Sequence, residues 1–437
     1  MTGPMLDGVR QRIAAWEPEL GAIIRAVEVR ATGHGTLNGL AAGVKDIIAV
    51  AGEPRECGAP GIVEEAPQPA HAPVVARLLE SGATVVARTA THQFAYGIVT
   101  PQTLNPLAPD RIAGGSSGGT AAALAAGIID IGLGTDTGGS IRIPASCCGI
   151  AGLKTTRGLI PLTGVHPLAW SLDTVGPMAR TVRETALALE AIVGADPDDP
   201  YSDPTPLEPA RRPPWRIGVP AQVLQAQMDD EVRSKWQRVL DALTSDSIDG
   251  ATAQQIDIPL LEQADRMSGR VLVAEAAALH AATLAQHSAA LWPEVRTRLE
   301  RGSRLPASTL AEALHEAARL RAEIKKVFTR VDVIVTPTLP CVAPLRAVAP
   351  LRVPSTGDEC VPVGGNPVPL TLAMTRLTSP WNLIGVPAGS VPAGTDRGGA
   401  PVGVQVVGPW RGERTVLAVM AAIERLTEGT RSPRTGI

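Results

Sequence analysis

The sequence predicts an α/β layer protein, and three observations lead there. Apolar helix faces end at glycine and run straight into short β-branched strands, as in Val74, Val75, Leu78 and Leu79, then Gly82, then Ala83 to Ala87. Glycine (44) and proline (39) are more numerous than a helical bundle carries, yet stay below the composition of a disordered chain. Hydrophobic residues reach 44%, enough for a large core. At roughly 150 residues per domain, the 437 residues allow up to about three domains.

Taken in order, Val9, Ile13 and Trp16 stand at helical spacing and predict an N-terminal helix. Gly43 to Val50 reads as a buried strand interrupted by the charged pair Lys45-Asp46. Residues 119 to 127 form an Ala-rich helix capped by Gly127, followed by a strand from Ile128 to Leu133. Thr181 with Glu184 is a capping box, opening a helix through Leu187, Leu189 and Ile192 to Gly194. Residues 195 to 214 hold seven prolines and read either as a linker between domains or as a long surface loop. Beyond them come a strand from Trp215 to Val219 and helices near 229–244, 270–291 and 308–328. A strand from Asp332 to Thr336, another from Val402 to Val407, and a helix from about Glu413 to Leu426 complete the chain.

Composition removes several functions. A net charge of −3 without a basic block, and only 3% aromatics, argue against a nucleic-acid partner. The longest weakly charged apolar run, Ala121 to Gly134, carries Asp130 and is too short to span a bilayer. Met1 to Arg12 lacks the apolar stretch of a signal peptide, so a cytoplasmic protein without a membrane partner is expected. Five cysteines form neither a CxxC pair nor a zinc cluster, and Cys147-Cys148 read as small buried residues. The seven histidines make no HExxH or other paired motif, so no metal and no cofactor are expected.

One segment stands apart. Gly114 to Gly158 contains two Gly-Gly-Ser clusters, Gly114-Gly115-Ser116 and Gly138-Gly139-Ser140, separated by a helix and a strand. Consecutive amides in glycine turns attract anionic oxygen, and a hydroxyl beside each suggests a nucleophile with an oxyanion hole. Three look-alikes fail. Gly115 to Gly119 satisfies GxSxG with Ser117 central, but the preceding Leu107 to Ile112 is polar and proline-broken rather than a buried strand. Gly132-Leu133-Gly134 meets Thr137 where a dinucleotide fingerprint needs glycine. Thr120 stands where a P-loop needs lysine.

The segment resembles the amidase signature family, whose hallmark is a GGSSGG turn, a GTDxGGSIRxPA turn and a CGxxGxKPTxG run. Here Thr155-Thr156 replaces Pro-Thr, and Cys147 stands where an aromatic or small residue is common. Gly43-Val44-Lys45-Asp46 is similar to the family's lysine strand, and Gln93 to Gly97 to its EFAxG stretch, with Gln for Glu. Ser171 to Arg180, Thr336-Pro337-Thr338, Asn382 to Pro387 and Pro401 to Gly408 match further elements, so the likeness covers roughly residues 40–430. It implies one large α/β/α domain over 1–437, a central mixed sheet flanked by helices, with 195–214 as a surface loop.

The resemblance also implies a Ser–cis-Ser–Lys triad: Ser140 as nucleophile, Ser116 as the bridging serine on a cis peptide, and Lys45 as base. With no histidine near either motif a lysine must serve, and it serves only when neutral; Val44, Ile47 and Ile48 around Lys45 provide the desolvation. Backbone amides of Thr137, Gly138, Gly139 and Ser140 are the expected oxyanion hole, and Asp136 and Arg142 the pair bracing that turn. The expected pocket mouth, His92 to Tyr96, Gly164 to Trp170 and Leu377 to Ile384, contributes Phe94, Tyr96, Trp170 and Trp381, with Arg376 as its one cation. His92 and His166 fall in the same stretches. The expected reaction is hydrolysis of a small neutral amide, anilide or carbamate, with urethanase or esterase activity alongside, by a monomer or homodimer. The alternatives are the A-type subunit of a tRNA-dependent amidotransferase and a urea- or biuret-type hydrolase.

Overall fold

Strands buried on both faces read as apolar from end to end. In the computed structural model of the chain, every residue of β2 (Ala41–Lys45), β3 (Thr84–Thr89) and β4 (Ile131–Thr135) is buried, after β1 (Ile23–Val29), whose burial alternates. The structure describes residues 3–63, 66–245, 251–346, 351–352 and 359–427. The strands β5 (Ala151–Lys154), β6 (Val175–Ala179), β7 (Arg216–Pro220), β8 (Thr252–Ile256) and β9 (Val333–Pro337) follow. A small antiparallel sheet of β10 (Leu351–Arg352), β11 (Glu359–Val363) and β12 (Asn366–Pro369) precedes β13 (Ala388–Thr395) and β14 (Pro401–Val407).

The main sheet has the order β1-β3-β2-β4-β6-β5-β13-β14-β9-β7-β8. It is mixed: β3-β2-β4 and β9-β7-β8 run parallel, and antiparallel pairs link these two blocks. Val85 and Val86, adjacent in β3, enter different hydrophobic clusters, one on each face. One cluster joins the helices Pro73–Glu80, Val182–Ile192, Asp230–Leu243 and Glu413–Thr427. The other joins the N-terminal helix Gly3–Leu20, the helix Gly118–Ala125 and the short helix Arg142–Cys147. The chain is therefore an α/β protein with a large mixed central sheet between helical layers.

The proline-rich 195–214 stretch runs without regular structure along the surface, pinned by Asp203 N–H to the Gly158 carbonyl (2.8 Å) and Glu208 N–H to the Arg411 carbonyl (2.8 Å). Strands from both sides of it share the main sheet. The expected capping box forms: Thr181 Oγ1 accepts from Glu184 N–H, and the Glu184 carboxylate accepts from Thr181 N–H. Two expectations need correction. The strand expected over 43–50 stops at Lys45, because the chain turns there and the Asp46 carbonyl accepts from Cys57 N–H. The helix expected over 270–291 spans Leu261–Leu279, breaks at His280 and resumes as Ala281–His287. Among the described residues, no helix is long and apolar enough to cross a membrane.

Candidate active site

Parallel pairing of β2 with β4 sets Val44 beside Leu133, so the next residues of both strands emerge at one edge of the sheet. There Lys45, fully buried, places Nζ 2.7 Å from Ser116 Oγ and 2.8 Å from Thr135 Oγ1. Burial pulls the Lys45 ammonium down to about 7, against the opposing pull of Asp136, Asp173 and Cys57. A lysine in that position is substantially neutral at pH 7 and above.

The first serine turn is built tightly. The Gly115–Ser116 peptide is cis, and a side chain on Gly115 would meet the Val99 backbone nitrogen at 2.7 Å. The Ser116 carbonyl accepts from Thr100 Oγ1 (3.2 Å) and His92 N–H (3.4 Å). Ser117 begins the helix Gly118–Ala125, and its hydroxyl is spent on the β4 backbone, 3.3 Å from the Thr135 carbonyl. Its N–H donates to the Ser140 carbonyl (3.2 Å), which ties the two serine turns together.

The second turn winds around Asp136. Its carboxylate accepts from the N–H groups of Gly139 (2.7 Å) and Ile141 (3.2 Å), from Arg142 Nε (2.9 Å) and Nη2 (2.9 Å), and from Asn382 Nδ2 (2.9 Å). Burial alone would raise this carboxyl; Arg142 reverses that and holds it at about 2. Arg142 also donates to the Thr378 carbonyl, Gln405 Oε1 and Asn382 Oδ1, so the guanidinium is fully committed. Asp136 and Arg142 thus pair inside this turn. The expected amide set is smaller than four, because the Gly139 N–H is taken by Asp136. The amides of Thr137, Gly138 and Ser140 have no acceptor among the described residues. Ser140 keeps 7% exposure while Lys45 and Ser116 have none, so it alone of the three is open to a substrate.

Asp173 joins this turn to the loop before it. Thr137 Oγ1 donates to Oδ1 (2.6 Å), and the amides of Leu168 (2.8 Å) and Ala169 (3.0 Å) donate to Oδ2. Burial lifts its carboxyl to about 6. Thr135, Asp173, Thr378 and Gln405 are parts of the site that sequence reasoning misses. Asp173 and Gln405 lie inside matched motif stretches, but a motif letter does not say which atom it contacts.

The pocket expectations fare unevenly. Phe94 and Tyr96 are buried at 2% and 3% in a turn where Phe94 adopts a left-handed backbone (φ 53°). Trp170 is 38% exposed. Trp381 is a core residue, 1% exposed with Nε1 donating to the Leu377 carbonyl (2.9 Å), so its indole presents no free edge. Arg376 is drawn off to the Gln227 carbonyl rather than toward the serine turns. A cavity of about 550 Å³ is lined by Arg111, Asp229, Glu231, Cys341 and Asp396 among others and by none of the residues above. No group of three or more metal-capable side chains converges among the described residues.

The chain belongs to the amidase family, a class of hydrolases that act on carbon–nitrogen bonds. The Amidase family model matches residues 19–417. An amidase of Pseudomonas putida is 33% identical over 97% of this chain and 92% of its own length. The A-type subunit of the glutamyl-tRNA(Gln) amidotransferase of Roseiflexus sp. (strain RS-1) is 34% identical over 98% of this chain and 94% of its own. Among solved structures, one from a vestigial protein complex that reveals the evolutionary origins of an s-triazine catabolic enzyme superposes with a TM-score of 0.87. That match has 28% identity and covers 98% and 95% of the two chains.

Proposed function

We propose that the chain is a serine amidohydrolase that cleaves the C–N bond of a small neutral amide, anilide or carbamate through an acyl-Ser140 intermediate. The observation that carries this reading is the 2.7 Å contact between the buried Lys45 Nζ and Ser116 Oγ, with Lys45 pulled down to about 7. Serine is a poor nucleophile at its own pKa and needs a neighbouring base. In the proposed mechanism Ser140 Oγ attacks the acyl carbon while its proton passes through Ser116 Oγ to neutral Lys45. The oxygen that gains charge meets the free amides of Thr137, Gly138 and Ser140, the kind of preorganised donors that lower such barriers most. As the C–N bond breaks, the proton returns along the same path to the leaving nitrogen. Water then attacks the acyl-enzyme with Lys45 again accepting the proton, releasing the acid and free Ser140.

The neutral-substrate preference rests on the commitment of both arginines near the turn: Arg142 is saturated by Asp136, Asn382, Gln405 and the Thr378 carbonyl, and Arg376 is held by Gln227. Hydrolysis of a panel of an anilide, an aliphatic amide and a carbamate tests the reading. Ser140→Ala should abolish turnover of every member while Ser117→Ala retains most of it; the reverse pattern would overturn the assignment. The likeness to A-type amidotransferase subunits supports a second reading, in which the same acyl chemistry releases ammonia to a partner protein. Stable co-purification with further subunits, together with glutamine as the preferred substrate, would favour it.

A further inference from the structure

A cluster of rings beside the triad takes no part in the mechanism above. The Phe94 ring lies against His166 (centroids 5.7 Å, interplanar angle 28°) and His280 (4.6 Å, 40°), and the two imidazoles are 5.5 Å apart. His280, 3% exposed, ends the helix Leu261–Leu279, and its Nε2 has no hydrogen-bond partner. His166 Nε2 is also buried without a partner. Buried polar atoms are normally satisfied, and two orphaned imidazole edges on rings 5.5 Å apart mark a place where something else supplies the partners.

Backbone contacts anchor this wall to both halves of the triad. His166 N–H donates to the carbonyl of Ile47 (2.8 Å), two residues from Lys45, and His92 N–H reaches the Ser116 carbonyl. The amides of Leu168 and Ala169 hold Asp173, which in turn holds Thr137 beside Ser140. Burial takes His166 down to about 3 and His280 to about 4, and the neighbouring His280 and Arg55 add to the shift at His166. Both rings are therefore uncharged at neutral pH, and each can offer an N–H or a lone pair. The nearby cation Arg55 donates to the Gly164 carbonyl (3.0 Å).

We propose that Phe94, His166 and His280 form a substrate subsite for a flat, uncharged ring with a hydrogen-bonding atom on its edge, as in a heteroaryl or hydroxyaryl amide. The ring packs against Phe94, and its edge nitrogen or hydroxyl partners the imidazole Nε2 atoms. This inference rests on the acyl-Ser140 reading and narrows its substrate class. An aliphatic group leaves both imidazoles orphaned, and a site built to hydrogen-bond discriminates strongly against analogues that lack the group.

The test uses matched pairs that differ by one ring atom: pyridine-3-carboxamide with benzamide, and N-(3-pyridyl)acetamide with acetanilide. One pair places the ring on the acyl side and the other on the leaving side. The wild-type protein should favour the pyridyl member of at least one pair by about tenfold in kcat/KM, the effect of one hydrogen bond of typical strength. His280→Leu and His166→Leu should bring that ratio to about one while changing the carbocyclic member far less, and His280→Gln, which keeps a polar edge, should retain part of the preference. A wild-type ratio near one in both pairs, or a ratio the variants leave intact, overturns the subsite. Thermal melting of each variant separates a misfolded protein from a changed subsite, with His280→Gln as the arm that keeps its packing. If Ser140-dependent hydrolysis proceeds without ring preference, only the subsite falls; if no amide is turned over at all, the amidohydrolase reading falls with it.

Discussion

Replacing Lys45 by methionine should abolish amide hydrolysis and at the same time change how stability responds to pH. In the folded chain the Lys45 ammonium is lowered from 10.5 to about 7, because its buried surroundings disfavour the charge. Unfolding returns it to water, where it is protonated up to about pH 10.4. Between pH 7 and that value the unfolded chain binds the extra proton, so stability rises with pH. Integrated from pH 7 to pH 9, this one group contributes about 2 kcal/mol of rising stability to the wild type and nothing to Lys45→Met. Against that, methionine leaves the Ser116 and Thr135 hydroxyls without their 2.7 and 2.8 Å partner, a cost of roughly 1–3 kcal/mol each that does not depend on pH. The absolute stability of the variant therefore mixes two effects, but its pH dependence isolates one. Urea unfolding of both proteins at pH 7 and pH 9 measures it. The variant should compare better with wild type at pH 7 than at pH 9, by about 2 kcal/mol. Lys154→Met is the control: Lys154 is also fully buried and lowered to about 7, so it should show the same pH signature while leaving the Lys45–Ser116 contact in place. A stability difference between wild type and Lys45→Met that stays flat from pH 7 to pH 9 would mean Lys45 is charged in the fold, and a charged amine cannot accept the serine proton.

The remaining predictions concern the turn and its electrostatics. Asp173→Asn removes a negative charge that favours protonated Lys45, so the acid limb of the kcat/KM–pH profile should move to lower pH while kcat falls by about tenfold as Thr137 loosens. Thr137→Val, which cuts the 2.6 Å link but keeps the charge, should lower kcat without moving that limb; if both variants leave the limb in place, Asp173 does not act on Lys45. Incubation with EDTA should leave kcat/KM within about twofold of the untreated protein, since the proposed base and oxyanion donors are all protein groups. Activity lost to the chelator and restored by a divalent ion would refute that.

The sequence by itself determined the class of the fold and singled out the residues of the candidate site. Helix faces that end in glycine and lead into strands announce the α/β layers around Val74–Ala87, because side-chain periodicity and glycine punctuation are local properties. The two Gly-Gly-Ser turns and Lys45 are legible for a similar reason: a tight turn with a hydroxyl at a fixed offset leaves a contiguous motif. Strands β5, β6, β8 and β13 escape such a reading, since four- to eight-residue strands rich in glycine, alanine or polar residues carry little period, and pairing partners far along the chain decide whether they form. Only the tertiary structure decided which atoms meet. Lys45 and Thr135 come together because β2 and β4 pair in parallel register, a contact between residues 90 apart. The same long-range packing took Trp381 into the core and turned Arg376 toward Gln227. It also brought His166 and His280 against Phe94. None of these follows from residue type or spacing, because the hydrogen-bonding capacity of a side chain is fixed by its chemistry while its partner is fixed by the fold.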